Sequence, residues 1–106
     1  MPIVAKVIIP GKVAENVLTP QYTAVNVTTI IDKFTAMNDS GATATISVSL
    51  GVGAAERVVK NKSLTPGQTY TFPEIVGHVL TIGTSLSTQA SAVGAINIRS
   101  SGREIS

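Results

Sequence analysis

Thr45-Ile46-Ser47-Val48-Ser49-Leu50 alternates apolar and hydroxyl side chains with a period of two. Successive side chains of an extended strand point to opposite faces, so Ile46, Val48 and Leu50 fall on one face and the hydroxyls on the other. A helix would scatter the same residues around its axis. Just upstream stands Asn38-Asp39-Ser40-Gly41, a tight-turn signal, because Asx side chains bond their own backbone and glycine accepts unusual dihedrals. Before the turn, residues 27–37 form a second apolar run, with Ile30 and Phe34 on one parity and Ile31, Lys33 and Thr35 on the other. The two runs read as a β-hairpin around which the rest of the chain is organised.

Working outward, the same pattern recurs. Val, Ile and Thr make up more than a third of the 106 residues, and these β-branched side chains suit a pleated surface better than a helix. Turn residues recur at short intervals, at Pro10-Gly11, Gly51-Val52-Gly53, Pro66-Gly67, Gly83, Gly94 and Gly102. Between them lie short strands: one starting at Arg57-Val58-Val59-Lys60, then Thr69-Tyr70-Thr71-Phe72, Val79-Leu80-Thr81-Ile82, residues 85–91 and Ala95-Ile96-Asn97-Ile98-Arg99. Pro73 stops one strand, and Glu74-Ile75-Val76-Gly77 reads as one short helical turn. Many short strands with this spacing predict an all-β fold, an antiparallel β-sandwich of jelly-roll or Ig-like type. Its expected core is Ile30, Phe34, Ile46, Val48, Leu50, Tyr70, Phe72, Leu80, Ile82, Ile96 and Ile98.

The first twenty residues read differently from the sandwich expected over 21–106. An apolar stretch, residues 3–9, is closed by Pro10-Gly11, and a second, residues 13–18, ends at Thr19-Pro20. Proline is confined to strand edges, starts and bulges, so residues 1–20 read as an extended N-terminal arm or edge strand. The apolar side chains Ile3, Val4, Val7, Ile8 and Ile9 are the candidate interface of that arm.

Composition narrows the chemistry. There is no cysteine and no tryptophan, one histidine, and six scattered carboxylates against eight Lys and Arg. Disulfide frameworks, thiol catalysis and Cys-based zinc sites are excluded. His78 has no second histidine to complete a zinc site and no orienting acid and nucleophile nearby in sequence, so it reads as structural. Gly51-Val52-Gly53-Ala54-Ala55 faintly echoes a dinucleotide loop but lacks the βαβ surroundings that loop needs. Asn38 and Asp39 fall short of a calcium cage and read as turn chemistry. Arg57, Lys60 and Lys62 lack interleaved aromatics and make a weak nucleic-acid signature. Asp32 and Lys33, inside an apolar strand, read as an exposed face or a charge that blocks wrong pairing. Glu74 and Glu104 have no spacing that suggests a paired-carboxylate mechanism. Sequons at Asn26, Asn38 and Asn61 read as chance, since the start lacks a secretory pattern. No window approaches the roughly 20 apolar residues of a membrane-spanning helix. Neither enzyme activity nor a cofactor is expected.

The charged fraction is 13%, well below the roughly 25% of an average domain, while 43% of residues are hydrophobic. That balance points to a surface partly covered by other subunits.

Asn38-Asp39-Ser40-Gly41, Arg57-Val58-Val59, Leu64-Thr65-Pro66-Gly67-Gln68-Thr69-Tyr70, Gly77-His78-Val79-Leu80-Thr81-Ile82-Gly83 and Ile96-Asn97-Ile98-Arg99-Ser100-Ser101-Gly102 resemble small virion structural proteins of tailed bacteriophages and prophages. So do Leu86-Ser87 and Ala90-Ser91-Ala92, and the likeness covers residues 28–105. It implies a β-sandwich subunit present in many copies on a particle assembled in the bacterial cytoplasm. The expected role is a capsid cement or decoration protein on the shell, with a neck, tail or fibre-attachment subunit as the alternative. Expected partners are the major capsid protein or other virion proteins and further copies of the chain, with no direct nucleic-acid or membrane contact. A competing expectation is a carbohydrate-binding or adhesive module. Such modules usually need exposed aromatic platforms, and of Tyr22, Phe34, Tyr70 and Phe72 three read as buried.

Overall fold

A computed structural model describes residues 3–51 and 57–106. They form nine strands: β1 (Ile3–Val13), β2 (Thr19–Thr23), β3 (Thr28–Asn38), β4 (Ala44–Gly51), β5 (Arg57–Leu64), β6 (Thr69–Thr71), β7 (Val79–Leu80), β8 (Ser85–Ala90) and β9 (Ile96–Ile105). Residues 52–55 of the small-residue loop, with its dinucleotide echo, lie outside the described residues. Every strand pairing is antiparallel. One sheet, A, has the order β1-β9-β3-β6, with β7 also on β3, and the other, B, has the order β2-β8-β4-β5. Because β6 and β7 lie along the same edge of β3, they act as one interrupted strand. Eight strands in this order form a jelly roll, which decides between the two sandwich types expected.

The core between the sheets is aliphatic, with Phe34 and Phe72 meeting edge to face at 5.0 Å between ring centroids. Phe34, Ile46, Val48, Phe72, Leu80, Ile96 and Ile98 are buried in it as expected. Leu50 and Tyr70 are half-buried against its margin, and Ile82 is 65% exposed in the turn after β7.

Ile30 is the instructive miss. Along β9, Ile31 pairs with Gly102 and Lys33 with Ser101, so Asp32 is an extra residue, a β-bulge. A bulge exchanges the two faces of a strand beyond it. Thr29 and Ile31 therefore point inward before it, and Phe34, Ala36 and Asn38 after it. Ile31, not Ile30, fills the core, and the adjacent polar pair Asp32-Lys33 marks where the parity changes.

β3 and β4 do not form the expected hairpin. They belong to different sheets, and residues 39–43 carry the chain from one to the other. Buried Asn38 makes this crossover rigid: its Nδ2 donates to the carbonyls of Ala42 (2.8 Å) and Leu64 (2.9 Å), and its Oδ1 accepts from the amide of Ser40. The turn over Thr65-Pro66-Gly67-Gln68 is as expected, with Gly67 at φ 78° and the Gln68 amide donating to the Thr65 carbonyl. Residues 73–77 are hydrogen-bonded turns rather than a helix, and they sink Ile75 into the core.

β9 continues to Ile105 instead of ending near Ser100-Ser101-Gly102, because Gly102 lets it pass β3. A Cβ on Gly102 would stand 2.3 Å from the Ile30 carbonyl oxygen. β1 follows β9 along this whole length, from the pair Ile3–Ile105 to the pair Val13–Asn97. The expected break at Pro10-Gly11 is a bulge within one strand: register shifts at Ile8 and again between Ile9 and Lys12. Proline is tolerated there because β1 is an edge strand. Residues 3–13 are thus part of sheet A, and no extended arm is seen among the described residues.

Candidate interaction surface

The five apolar residues assigned to an N-terminal interface divide into two groups. Ile3, Val4 and Val7 are 61%, 55% and 46% exposed, whereas Ile8 and Ile9 are buried in the sandwich core. The bulge at Ile8 explains the division, since it lets two consecutive side chains turn inward. Ile8 and Ile9 are therefore corrected from interface to core. Nothing in the run of apolar letters distinguishes them from their neighbours.

Residues 3–7 are exposed on both parities, so neither face of this part of β1 is covered. Its outer edge also carries backbone amides and carbonyls with no strand beyond them among the described residues. The other long edge, β5, is blunted by two register shifts and by Lys60, and the β2 edge is five residues long and contains Pro20. β1 lacks comparable protection over residues 3–7. Its one charge, Lys6, is turned toward Glu104, with Nζ 3.2 Å from Oε2.

Glu104 also accepts a hydrogen bond from the Tyr22 hydroxyl, which is 2.7 Å from Thr29 Oγ1. Tyr22 belongs to sheet B and Glu104 to sheet A, so this network ties the sheets together beside the exposed strand. The Tyr22 hydrogen bond, and after it Lys6, holds the Glu104 carboxyl below the ordinary carboxylate range. Burial, and after it the bond to Glu104, raises the Tyr22 hydroxyl. On the outer face of sheet A, Arg103 clamps Asp32 through Nε and Nη2 at 2.9–3.2 Å. The charge pair that marked the bulge is thus split, with Asp32 engaged and Lys33 beside Arg99, Thr35 and Ser101 on a shallow outer depression.

The remaining singled-out residues do not converge. His78 is exposed, and its backbone closes the turn against Ile31. Glu74 accepts from the Tyr70 hydroxyl, while Glu104 sits in the network above. Arg57 and Lys60 lie on the outer face of sheet B, but the bulges in β5 send Lys62 the other way, its Nζ 4.3 Å from the centre of the Tyr70 ring. The basic cluster read from the sequence is therefore divided. Tyr70 has Phe72 against it as well, so it offers no open platform for a sugar. Among the described residues no three His, Asp or Glu side chains gather as metal ligands, and no helix is long and apolar enough to cross a membrane.

The sequence reading missed Lys6, within the exposed strand, and Ile105 beside it. Their signal was available only as tertiary pairing, since Ile3 and Ile105 are cross-strand neighbours from opposite ends of the chain. Comparison with family models, curated proteins and solved structures finds no match to this chain.

Proposed function

We propose that the chain is a non-enzymatic structural subunit of a bacteriophage virion, a cement or decoration protein that binds the major capsid shell. The observation that carries this reading is the uncovered half of β1: an apolar edge with free backbone hydrogen-bonding groups and Ile3, Val4 and Val7 exposed beside them. Such an edge accepts a strand from another chain, with main-chain bonds supplying affinity and the alternating side chains supplying selectivity. Many copies on one particle then add weak contacts into a firm assembly. The jelly roll agrees, as an architecture shared by viral coat proteins, though lectins and cupins use it too. The resemblance across residues 28–105 supplies the phage setting, with assembly in the bacterial cytoplasm.

Co-sedimentation tests the reading. Capsids of the encoding phage, assembled without this protein, are mixed with the purified chain and with an Ile3→Lys/Val7→Lys variant. The expected result is saturable binding of the natural chain and loss of binding by the variant, because charge at these exposed positions blocks strand addition. Failure of the natural chain to bind capsids sinks the capsid role, and binding to isolated necks or tails instead selects the alternative location. Unchanged binding by the variant would remove β1 from the mechanism.

A further inference from the structure

We propose that a polar groove on the outer face of sheet B is a binding site for a compact oxyanion, the carboxylate of an acidic side chain or a phosphoryl group. The groove encloses about 170 Å³ and is lined by Ser47 of β4, Arg57, Lys60 and Asn61 of β5, and Gln89 and Ser91 at the end of β8. It is independent of the β1 edge, which belongs to the other sheet.

The backbone of β5 builds the groove. Ile46 pairs with Lys62 and Val48 with Val59, which leaves Lys60 and Asn61 opposite Ser47 alone. Asn61 accommodates the extra residue at φ 52°, a left-handed conformation that is strained for a non-glycine residue. Ser47 holds it there: Asn61 N–H donates to Ser47 Oγ at 2.9 Å, and Ser47 Oγ donates to Asn61 Oδ1 at 3.3 Å. With its oxygen engaged, the Asn61 side chain has its NH₂ left to donate. The Thr45 amide donates to Ser91 Oγ at 2.9 Å, so the Ser91 hydroxyl proton is likewise available.

A second observation points to a ligand. Among the described residues two buried side-chain polar atoms lack a hydrogen-bond partner, Arg57 Nε and Ser49 Oγ. They belong to cross-strand partners, and of the two residues Arg57 lines this groove. Leaving such atoms unpaired is costly, and native structures rarely keep them without a role. Among the described residues the groove has two cations, several donors and no carboxylate in its lining, which is the chemistry that receives an oxyanion. Its volume leaves room for a group of acetate or phosphate size.

The test is a titration of the full chain, followed by ¹H–¹⁵N spectra at low ionic strength, with sodium phosphate, sodium acetate and sodium chloride in separate series. Saturable shifts at the amides of Ser47, Asn61 and Ser91 are expected with phosphate or acetate and not with chloride. Saturation by phosphate alone identifies a phosphoryl ligand, and saturation by acetate alone or by both identifies a carboxylate-accepting site. Arg57→Gln and Lys60→Gln should each weaken binding about tenfold or more, while Lys12→Gln, on the other sheet, should leave it unchanged. The exposed Lys60 variant keeps the test open if Arg57→Gln disturbs folding. Shifts that follow chloride, shifts that never saturate, or a Lys60→Gln variant that binds like the natural chain would overturn the proposal.

Discussion

The first and second parts of β1 share a neighbour strand and a β-branched composition but differ in surroundings. Residues 3–7 pair with β9 and meet no other strand among the described residues, whereas Ile9, paired with the same strand, and Ile8, bulged beside it, are buried in the sandwich core. The difference is not hydrophobicity. It comes from a bulge that turns two neighbours inward and from where the second sheet ends. Equal apolar letters thus serve stability in one place and leave a surface for contact in the other.

Substitution should separate the halves. Ile9→Ala removes a buried side chain and leaves a cavity, so chemical denaturation should show a loss of about 2–5 kcal/mol. Ile3→Ala, at a 61% exposed position, should stay within about 0.5 kcal/mol. Equal losses would mean that the outer half is also buried in the isolated protein. The same logic sets the limit of a useful truncation. Removing residues up to 7 tests the contact surface, but removing residues up to 10 would take Ile8 and Ile9 from the core.

Gly102 tests the frame on which the exposed half rests. Gly102→Ala drives a Cβ into the Ile30 carbonyl, and the strands must separate to admit it. A loss of about 1–3 kcal/mol is expected, with the largest amide shifts in β3, β9 and residues 3–7 of β1. A neutral result would show that the bulge at Asp32 is soft enough to absorb the change.

The smallest expected effect belongs to the network beside the exposed strand. The folded-state pKa of Glu104 lies below its ordinary value of 4.5. Its ionised form therefore contributes stability above about pH 4.5, and that contribution is lost as pH falls through the lowered value. Thermal melts of the natural chain should decline more across this acid range than those of Glu104→Gln. Parallel declines would show that the Tyr22–Glu104–Lys6 contacts have no net effect on folding.

Much of the architecture was legible in the sequence because alternation and turn chemistry act locally. The clean period of two over residues 45–50 identified β4 and its inward face, and Pro66-Gly67 identified its turn. The parity of β3 was not legible by counting, because the bulge at Asp32 reverses the faces midway; the adjacent charges were the one clue. The β3–β4 hairpin failed for a related reason. A turn signal states that the chain reverses, not which sheet receives it. In the candidate surface, Ile3, Val4 and Val7 were identified by their apolar character only as part of a longer run, and Ile8 and Ile9 could not be separated from them.

By itself, the sequence determined an all-β chain, the places where it turns, part of its core and the poverty of its reactive side chains, since each follows from residue type and short-range spacing. Tertiary structure decided which edge remained open, which of two adjacent isoleucines lay inside and which distant polar groups met in one groove. Those outcomes depend on pairings between residues far apart in the chain. A single inserted residue in one strand shifts every contact beyond it.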